Sequence, residues 1–205
     1  LVVMGGIYMG FFTPTEAAGI GAFVSMLLAL GKRRLNWQNL NASLLETGQT
    51  VAMVFIIWVG AMIFGYFITV TEITIKLTEF VSGLVVNRYI ILASVVIMYL
   101  FLGCVMESIA LTILTVPLVF PMMTNLGFDP IWLAVIIVIT AQMALITPPV
   151  GMNVYIIAGL AKDVPMFTIF RGVFRFLIAM IFCIIILTAF PQIVLFLPSL
   201  MFGGG

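Results

Sequence analysis

Two adjacent prolines, Pro148 and Pro149, interrupt an apolar stretch within the run Ala141-Gln142-Met143-Ala144-Leu145-Ile146-Thr147-Pro148-Pro149-Val150-Gly151-Met152-Asn153. Apolar runs of helical character flank them, over residues 131–146 and 154–160. Each proline lacks a backbone N–H and clashes with the preceding turn, so an α-helix cannot continue through the pair. The surroundings make this break constraining. The chain is 64% hydrophobic and 7% charged, with a mean hydropathy of +1.37, whereas a soluble domain carries about 25% charged residues. The chain is therefore an integral membrane protein with little soluble mass. Lipid satisfies no free amide or carbonyl, so non-helical backbone survives there only where it lines a cavity or is buried in protein. In secondary transporters such a break commonly holds a coupling ion or a substrate. The alternative is a proline kink whose freed groups are satisfied by water.

The same composition excludes several classes of function. There is no histidine, which rules out a Ser–His–Asp triad or a His-ligated zinc site within these residues. No phosphate-binding loop signature is present, so ATP does not drive transport through this chain itself. No paired acids or metal motif suggest a membrane-embedded enzyme, and a net charge of +1 gives no case for nucleic acid. Cys104 and Cys183 lie in separate apolar runs, and no disulfide is expected between them. Leu1 begins inside an apolar run, so the chain reads as a piece, or one half, of a longer protein; Gly203, Gly204 and Gly205 read as a frayed end.

Along the chain, residues 1–12 read as the end of a membrane helix. Thr13, Pro14 and Glu16 then form a helix start: a capping threonine, a proline at the first helical position, and an acid where a capping box places it. That helix reaches about Leu30 and stops at Lys32, Arg33 and Arg34. Residues 36–46 read as a short amphipathic helix at the interface, with Trp37 as an anchor. A span follows over residues 50–70, then an amphipathic stretch over 71–86 in which Glu72 and Lys76 form an i,i+4 pair. Residues 89–102 are apolar but short for a span, and end at Gly103-Cys104-Val105-Met106-Glu107-Ser108. Residues 109–124 run back, interrupted by Pro117 and Pro121, so the two segments read as a re-entrant hairpin; two ordinary spans are the alternative. Asp129 and Pro130 open the helix that leads to the break, with Trp132 as a second interfacial anchor. The last span is expected over residues 176–197. With Lys32, Arg33 and Arg34 in the cytoplasm, Lys162, Arg171 and Arg175 also fall inside, leaving only Lys76 and Arg88 outside, which is the positive-inside pattern.

Glu107 is the sharpest single residue, because an acid within an apolar hairpin is costly. It can ligate a cation, orient carbonyls, take a proton, or simply hold the tip. Gly103 permits a close backbone approach. Ser108, Thr112 and Thr115 supply hydroxyls, which can equally bond back to their own helix. From Thr147 to Gly151 the carbonyls lack helical partners, and such oxygens suit a hard cation like sodium. The half-helix from Met152 aims its positive end at the cavity, favouring an anionic group. Asn153, Gln142 and Thr140 are near enough to join this network or to bond between helices.

Three stretches together resemble one family. They are Gly5-Gly6-Ile7-Tyr8 with Phe12-Thr13-Pro14-Thr15-Glu16-Ala17-Ala18; Gly103-Cys104-Val105-Met106-Glu107-Ser108-Ile109 leading to Thr115-Val116-Pro117; and Leu145-Ile146-Thr147-Pro148-Pro149-Val150-Gly151-Met152-Asn153. In this order the chain resembles the C-terminal half of the large membrane subunit of tripartite ATP-independent periplasmic (TRAP) transporters. The resemblance implies an all-α integral membrane fold: one inverted repeat of an elevator-type transporter, with a re-entrant helix hairpin and a discontinuous helix. It divides the chain into a scaffold part with a cytoplasmic arm helix (residues 1–87), a transport part (88–160, with the hairpin at 88–125 and the broken helix at 129–160), and a linker with the last membrane helix (161–205).

The resemblance further implies a sodium-coupled importer of organic acids, C4-dicarboxylate or sialic-acid-like, in the bacterial inner membrane. Its partners would be a small membrane subunit, a periplasmic substrate-binding protein, the lipid bilayer and a small organic anion; sodium would be the coupling ion, with no other cofactor. Carried over by position, Gly103, Cys104, Glu107, Ser108, Thr147, Pro148, Pro149 and Gly151 are the candidates for sodium. Met106, Gly151, Met152 and Asn153 are the candidates for substrate. Two residues depart from the family pattern: Glu107 stands where Asp is frequent, and Gln142 where an acid is frequent. Another sodium–anion symporter of the same inverted-repeat plan is the nearest alternative, and a passive channel or structural membrane subunit is a further one.

Overall fold

A computed structural model describes residues 2–147, 151–160 and 165–202. Pro148 and Pro149, and the linker residues Lys162 and Asp163, lie outside the described residues. Every regular element described is a helix. Four of the described helices are long and apolar enough to cross a membrane: α2 (Pro14–Gly31), α3 (Trp37–Val70), α6 (Ser108–Asn125) and α9 (Met166–Ala189). The chain divides into two compact units, Val54–Phe196 and the residues on either side of it.

In the smaller unit α1 (Val2–Tyr8) packs on α2. The start of α2 is the expected capping box. The Thr13 amide donates to Glu16 Oε2 at 2.8 Å, and the Glu16 amide donates to Thr13 Oγ1 at 3.3 Å, with Pro14 at the first helical position. The helix ends at Gly31, and Arg33 turns the chain away in a left-handed conformation (φ 52°). The short interfacial helix and the span expected over residues 36–46 and 50–70 are one uninterrupted helix, α3, of 34 residues. It extends roughly 51 Å, more than a hydrocarbon core of about 30 Å requires. Nothing between them stops a helix: Gly48 weakens one by only about 1 kcal/mol.

The larger unit is organised around α7 (Pro130–Ile146), which touches α5 (Arg88–Gly103), α6, α8 (Met152–Leu160) and α9. Most of its faces are covered: Leu133, Ile136, Ile137, Ala141, Met143 and Ala144 are all buried, and one stripe, Ile131, Ala134, Val138 and Gln142, is exposed. The hairpin of α5 and α6 lies against it, joined within itself by a hydrogen bond between the Tyr99 and Thr115 hydroxyls. The helix α4 (Ile73–Ser82) packs on α6. Glu72 stands outside α4, at its N-cap and in a left-handed conformation (φ 54°). It is therefore not on the helical surface, and the expected i,i+4 helical pair with Lys76 does not form.

Three further expectations are corrected. Pro117 and Pro121 do not interrupt α6, which is helical through both. The carbonyls that the two prolines leave without a helical amide are those of Ile113 and Pro117, four residues before them; further on, Thr124 Oγ1 donates to the carbonyls of Phe120 and Pro121, and Asn125 Nδ2 to that of Pro121. Trp132 is not an interfacial anchor: it is 3% exposed, stacks on Phe128 and donates from Nε1 to the Leu187 carbonyl of α9 at 2.7 Å. The last long helix is α9, ten residues earlier than expected, with Arg171 and Arg175 inside its first turns; long basic side chains allow this by reaching toward water. Pro191 ends that segment, and α10 (Gln192–Phe202) follows.

The Trp132–Leu187 bond ties α7 to α9, and Trp132→Phe removes the donor while keeping the ring. We expect a loss of about 1 kcal/mol, within the range for interhelical bonds in membranes, read as a lowered thermal midpoint of the full-length protein in detergent. Trp37→Phe, at an exposed position, should leave the midpoint unchanged.

Candidate functional site

The hairpin tip is four residues long. After α5 ends at Gly103, the amides of Cys104, Val105 and Met106 bond back to Phe101 and Leu102, and the chain then straightens at Glu107. Glu107 is the N-cap of α6. Its Oε2 accepts from the amides of Ile109 (2.9 Å) and Ala110 (3.3 Å), two donors that no helical carbonyl can reach. A carboxylate here also meets the positive end of the helix. Of the roles open to this acid from sequence, holding the tip is the one its bonds display. The other oxygen, Oε1, accepts from Ser108 Oγ at 3.2 Å and keeps lone pairs for another donor or a cation.

Ser108 carries the connection to α7. Its buried hydroxyl accepts from Gln142 Nε2 at 3.4 Å. Gln142 lies five residues before Thr147, or roughly 7.5 Å along the helix axis, so the tip is bonded to the last turns of α7. Packing holds the same two elements. A Cβ on Gly103 would lie 2.3 Å from Ala144 Cβ and 3.5 Å from Leu111 Cδ2. Glycine is required by this close approach rather than by a left-handed turn, because Gly103 is the last residue of an ordinary helix.

The break itself is framed from both sides. The helix α7 ends at Ile146 and α8 begins at Met152. Proline has no N–H, so residues 148 and 149 cannot supply the i+4 bonds to the carbonyls of Ala144 and Leu145. The Thr147 amide turns back to the Ala144 carbonyl at 3.2 Å, and its hydroxyl donates to the Met143 carbonyl at 2.7 Å. That bond uses the hydroxyl proton and leaves the Thr147 oxygen as an acceptor. On the far side Gly151 is buried, in a left-handed conformation (φ 36°), and its carbonyl accepts from the amides of Val154 (2.8 Å) and Tyr155 (3.3 Å). A side chain at this position would meet the Thr147 carbonyl oxygen at 3.3 Å. The first amides of α8 have no helical acceptor, which leaves a partial positive charge at the break.

The structure thus brings Gly103, Glu107, Ser108 and Gln142 together at the end of α7, with Thr147 and Gly151 at the break that follows. It does not bring the other candidates into bonded contact with them. Cys104 Sγ donates to the Leu100 carbonyl, and the hydroxyls of Thr112, Thr115 and Thr140 donate to carbonyls one turn back in their own helices. Met106 belongs to the tip through its amide bond to the Leu102 carbonyl, no bond joins Asn153 to the tip among the described residues, and Pro148 and Pro149 lie outside them. No cluster of three or more His, Cys, Asp or Glu occurs among the described residues, so the chemistry on offer is that of carbonyl, hydroxyl and single-carboxylate oxygens. Sequence reasoning missed Ala144 as the partner of Gly103. The available signal was a small residue (Ala141, Ala144) on consecutive turns, the pattern by which membrane helices approach closely.

Over residues 1–193 the chain matches the family described as "Tripartite ATP-independent periplasmic transporter, DctM component". The chain belongs to this TRAP transporter family. It is 31% identical to the sialic acid TRAP transporter large permease protein SiaM of Vibrio cholerae, over 100% of the chain and 48% of that protein. It is 34% identical to the C4-dicarboxylate TRAP transporter large permease protein DctM of Pseudomonas aeruginosa, over 97% of the chain and 47% of that protein. The isethionate TRAP transporter permease protein DctMQ of Oleidesulfovibrio alaskensis is 31% identical over 79% of the chain and 26% of its own length. The chain spans about half the length of the first two relatives. As a TRAP permease sequence it belongs with transporter subunits rather than enzymes, and with multi-pass proteins of the inner membrane.

The Gly103–Ala144 approach is testable in the full-length TRAP permease. Gly103→Ala should destabilise it by about 1–3 kcal/mol, the usual cost of overpacking. Ala144→Gly in the same molecule should recover most of that loss, as a thermal-melting double-mutant cycle would show.

Proposed function

We propose that this chain forms the second inverted repeat of a large TRAP permease, working by an elevator-type movement to import an organic acid coupled to sodium. In this reading residues 88–160 are the transport part, with a re-entrant hairpin at 88–125 and the broken helix at 129–160. Residues 1–87 belong to the scaffold with its arm helix, and 161–205 are the linker and last membrane helix. The complete permease would pair with a small membrane subunit and take its substrate from a periplasmic binding protein.

One observation carries the reading. The hairpin tip, tied through Glu107, Ser108 and Gln142, rests against the last turns of a helix that stops at Ile146 and restarts at Met152. Sodium is a hard cation that takes oxygen ligands. The backbone at Gly103, Cys104, Thr147, Pro148, Pro149 and Gly151, with the oxygens of Ser108, Thr147 and Glu107, supplies that donor class. The cap on α6 gives Glu107 a positioning role first, holding the tip carbonyls in place, with Oε1 as its one lightly used oxygen. The start of α8, at Gly151, Met152 and Asn153, offers amides to an anion, and Met106 on the tip is the apolar wall. An anionic substrate also fits the relatives, whose names specify sialic acid, C4-dicarboxylates and isethionate; all three compounds carry an acid group.

The test is uptake by the complete reconstituted transporter with its binding protein, using a C4-dicarboxylate and sialic acid as candidate substrates across a range of sodium concentrations. Thr147→Ala and Glu107→Ala should each raise the sodium needed for half-maximal uptake by about tenfold, equivalent to 1.4 kcal/mol, while membrane insertion is retained. Sodium dependence unchanged in both variants would overturn the site.

A further inference from the structure

Alongside α5, on its way from Tyr89 toward the hairpin tip, α5, α7 and α9 line an apolar groove of about 640 Å³, within the roughly 300–1,000 Å³ typical of sites that bury a small molecule. Its walls include Leu92, Val96 and Leu100 of α5 and Ile181 and Ile185 of α9. Ile97, Ile181 and Ile185 are exposed, so the groove opens to whatever surrounds the protein. Along α5 it runs from Tyr89 to Leu100, roughly 16 Å at the helical rise. That is close to half of a hydrocarbon core of about 30 Å, the depth of a single leaflet.

Only one end of the groove is polar. At Tyr89 and Thr188 it meets a second crevice of about 170 Å³, lined by Arg88, Gly127, Asp129 and Trp132 among others. Arg88 donates to the Gly127 carbonyl (3.3 Å) and the Tyr89 hydroxyl (3.4 Å), and its guanidinium carbon lies 5.2 Å from the ring centres of Tyr89 and Phe128. It pairs with no carboxylate among the described residues. Asp129, the acid on the same crevice, is committed through Oδ1 to the amides of Ile131 and Trp132. The result is a fixed, exposed cation at the mouth of a one-leaflet apolar channel, with a tyrosine beside it at the level where aromatic residues meet headgroups.

We infer that this groove is a phospholipid site, with one acyl chain along α5 and α9 and the lipid phosphate against Arg88. A guanidinium suits this task because its planar donors match phosphate oxygens. The length of the groove and the charge at one end favour a lipid over a protein helix, which would need no anion at one-leaflet spacing. The site makes no use of the tip or the break, so it stands independently of the transport reading.

The experiment places the photoreactive residue p-benzoylphenylalanine at Ile97 in the full-length permease, held in nanodiscs of phosphatidylglycerol and phosphatidylethanolamine. Irradiation should give a phospholipid adduct, seen as a mass shift of the intact protein. Arg88→Gln should lower its yield at least fivefold, and Arg88→Lys should restore much of it. Ala93→Trp, which fills the groove and leaves Arg88 in place, should lower the yield similarly and carries the test if Arg88→Gln does not fold. A lipid adduct indifferent to Arg88→Gln and Ala93→Trp means ordinary surrounding lipid and overturns the site. So does an adduct to another segment of the permease or to its small subunit.

Discussion

In hydrocarbon a backbone amide or carbonyl without an internal partner costs several kcal/mol, and the organisation of this chain follows from that cost. Asn87, Glu107 and Asp129 each sit one residue before a helix and bond its first amides with a side-chain oxygen. Thr13 does the same through a full capping box. Serine and threonine hydroxyls within the helices return to carbonyls a turn earlier, as at Thr112, Thr140 and Thr188. No buried side-chain nitrogen or oxygen among the described residues lacks a partner. Against that background the end of α7 stands out. There the chain places two residues without an N–H four positions after Ala144 and Leu145, and of these carbonyls Ala144's is served by the Thr147 amide instead.

The same constraint explains why the break adjoins the most heavily packed helix of its unit. Helices in lipid gain little from hydrophobic burial against one another, and hold together through close packing and hydrogen bonds. The helix α7 uses both: Gly103 against Ala144 and Gln142 to Ser108 on the hairpin side, and Trp132 to Leu187 on the α9 side. The helix α7 gives a rigid support up to Ile146, where the break begins. The hairpin tip is held by the same helix, so a change in the tip and a change at the break share a common support.

The relatives bear on what such a frame is for. The chain has similar identity to permeases named for sialic acid, for C4-dicarboxylates and for isethionate. These acids differ widely in size, so likeness at this level goes with the mode of transport rather than with one acid.

Much of this was legible in the residues alone. Hydropathy established the membrane class. The Thr13-Pro14-Thr15-Glu16 box placed the start of α2, Asp129-Pro130 the start of α7, and the doubled proline set the bounds of the break. All of these rest on the chemistry of a residue and its near neighbours: a missing N–H, a side-chain oxygen three positions from an amide, the cost of a charge in lipid. What only the tertiary structure decided was which faces meet. It shows Glu107 capping α6, Gly103 seated on Ala144, and Trp132 turned inward to α9 rather than outward to the interface. It also joins residues 37–70 into one helix and carries α6 through its prolines. The bonds from Gln142 to Ser108 and from Trp132 to Leu187 cross 34 and 55 positions of sequence. No local pattern specifies such pairings, because they depend on the shapes of two surfaces that meet only once the chain is folded.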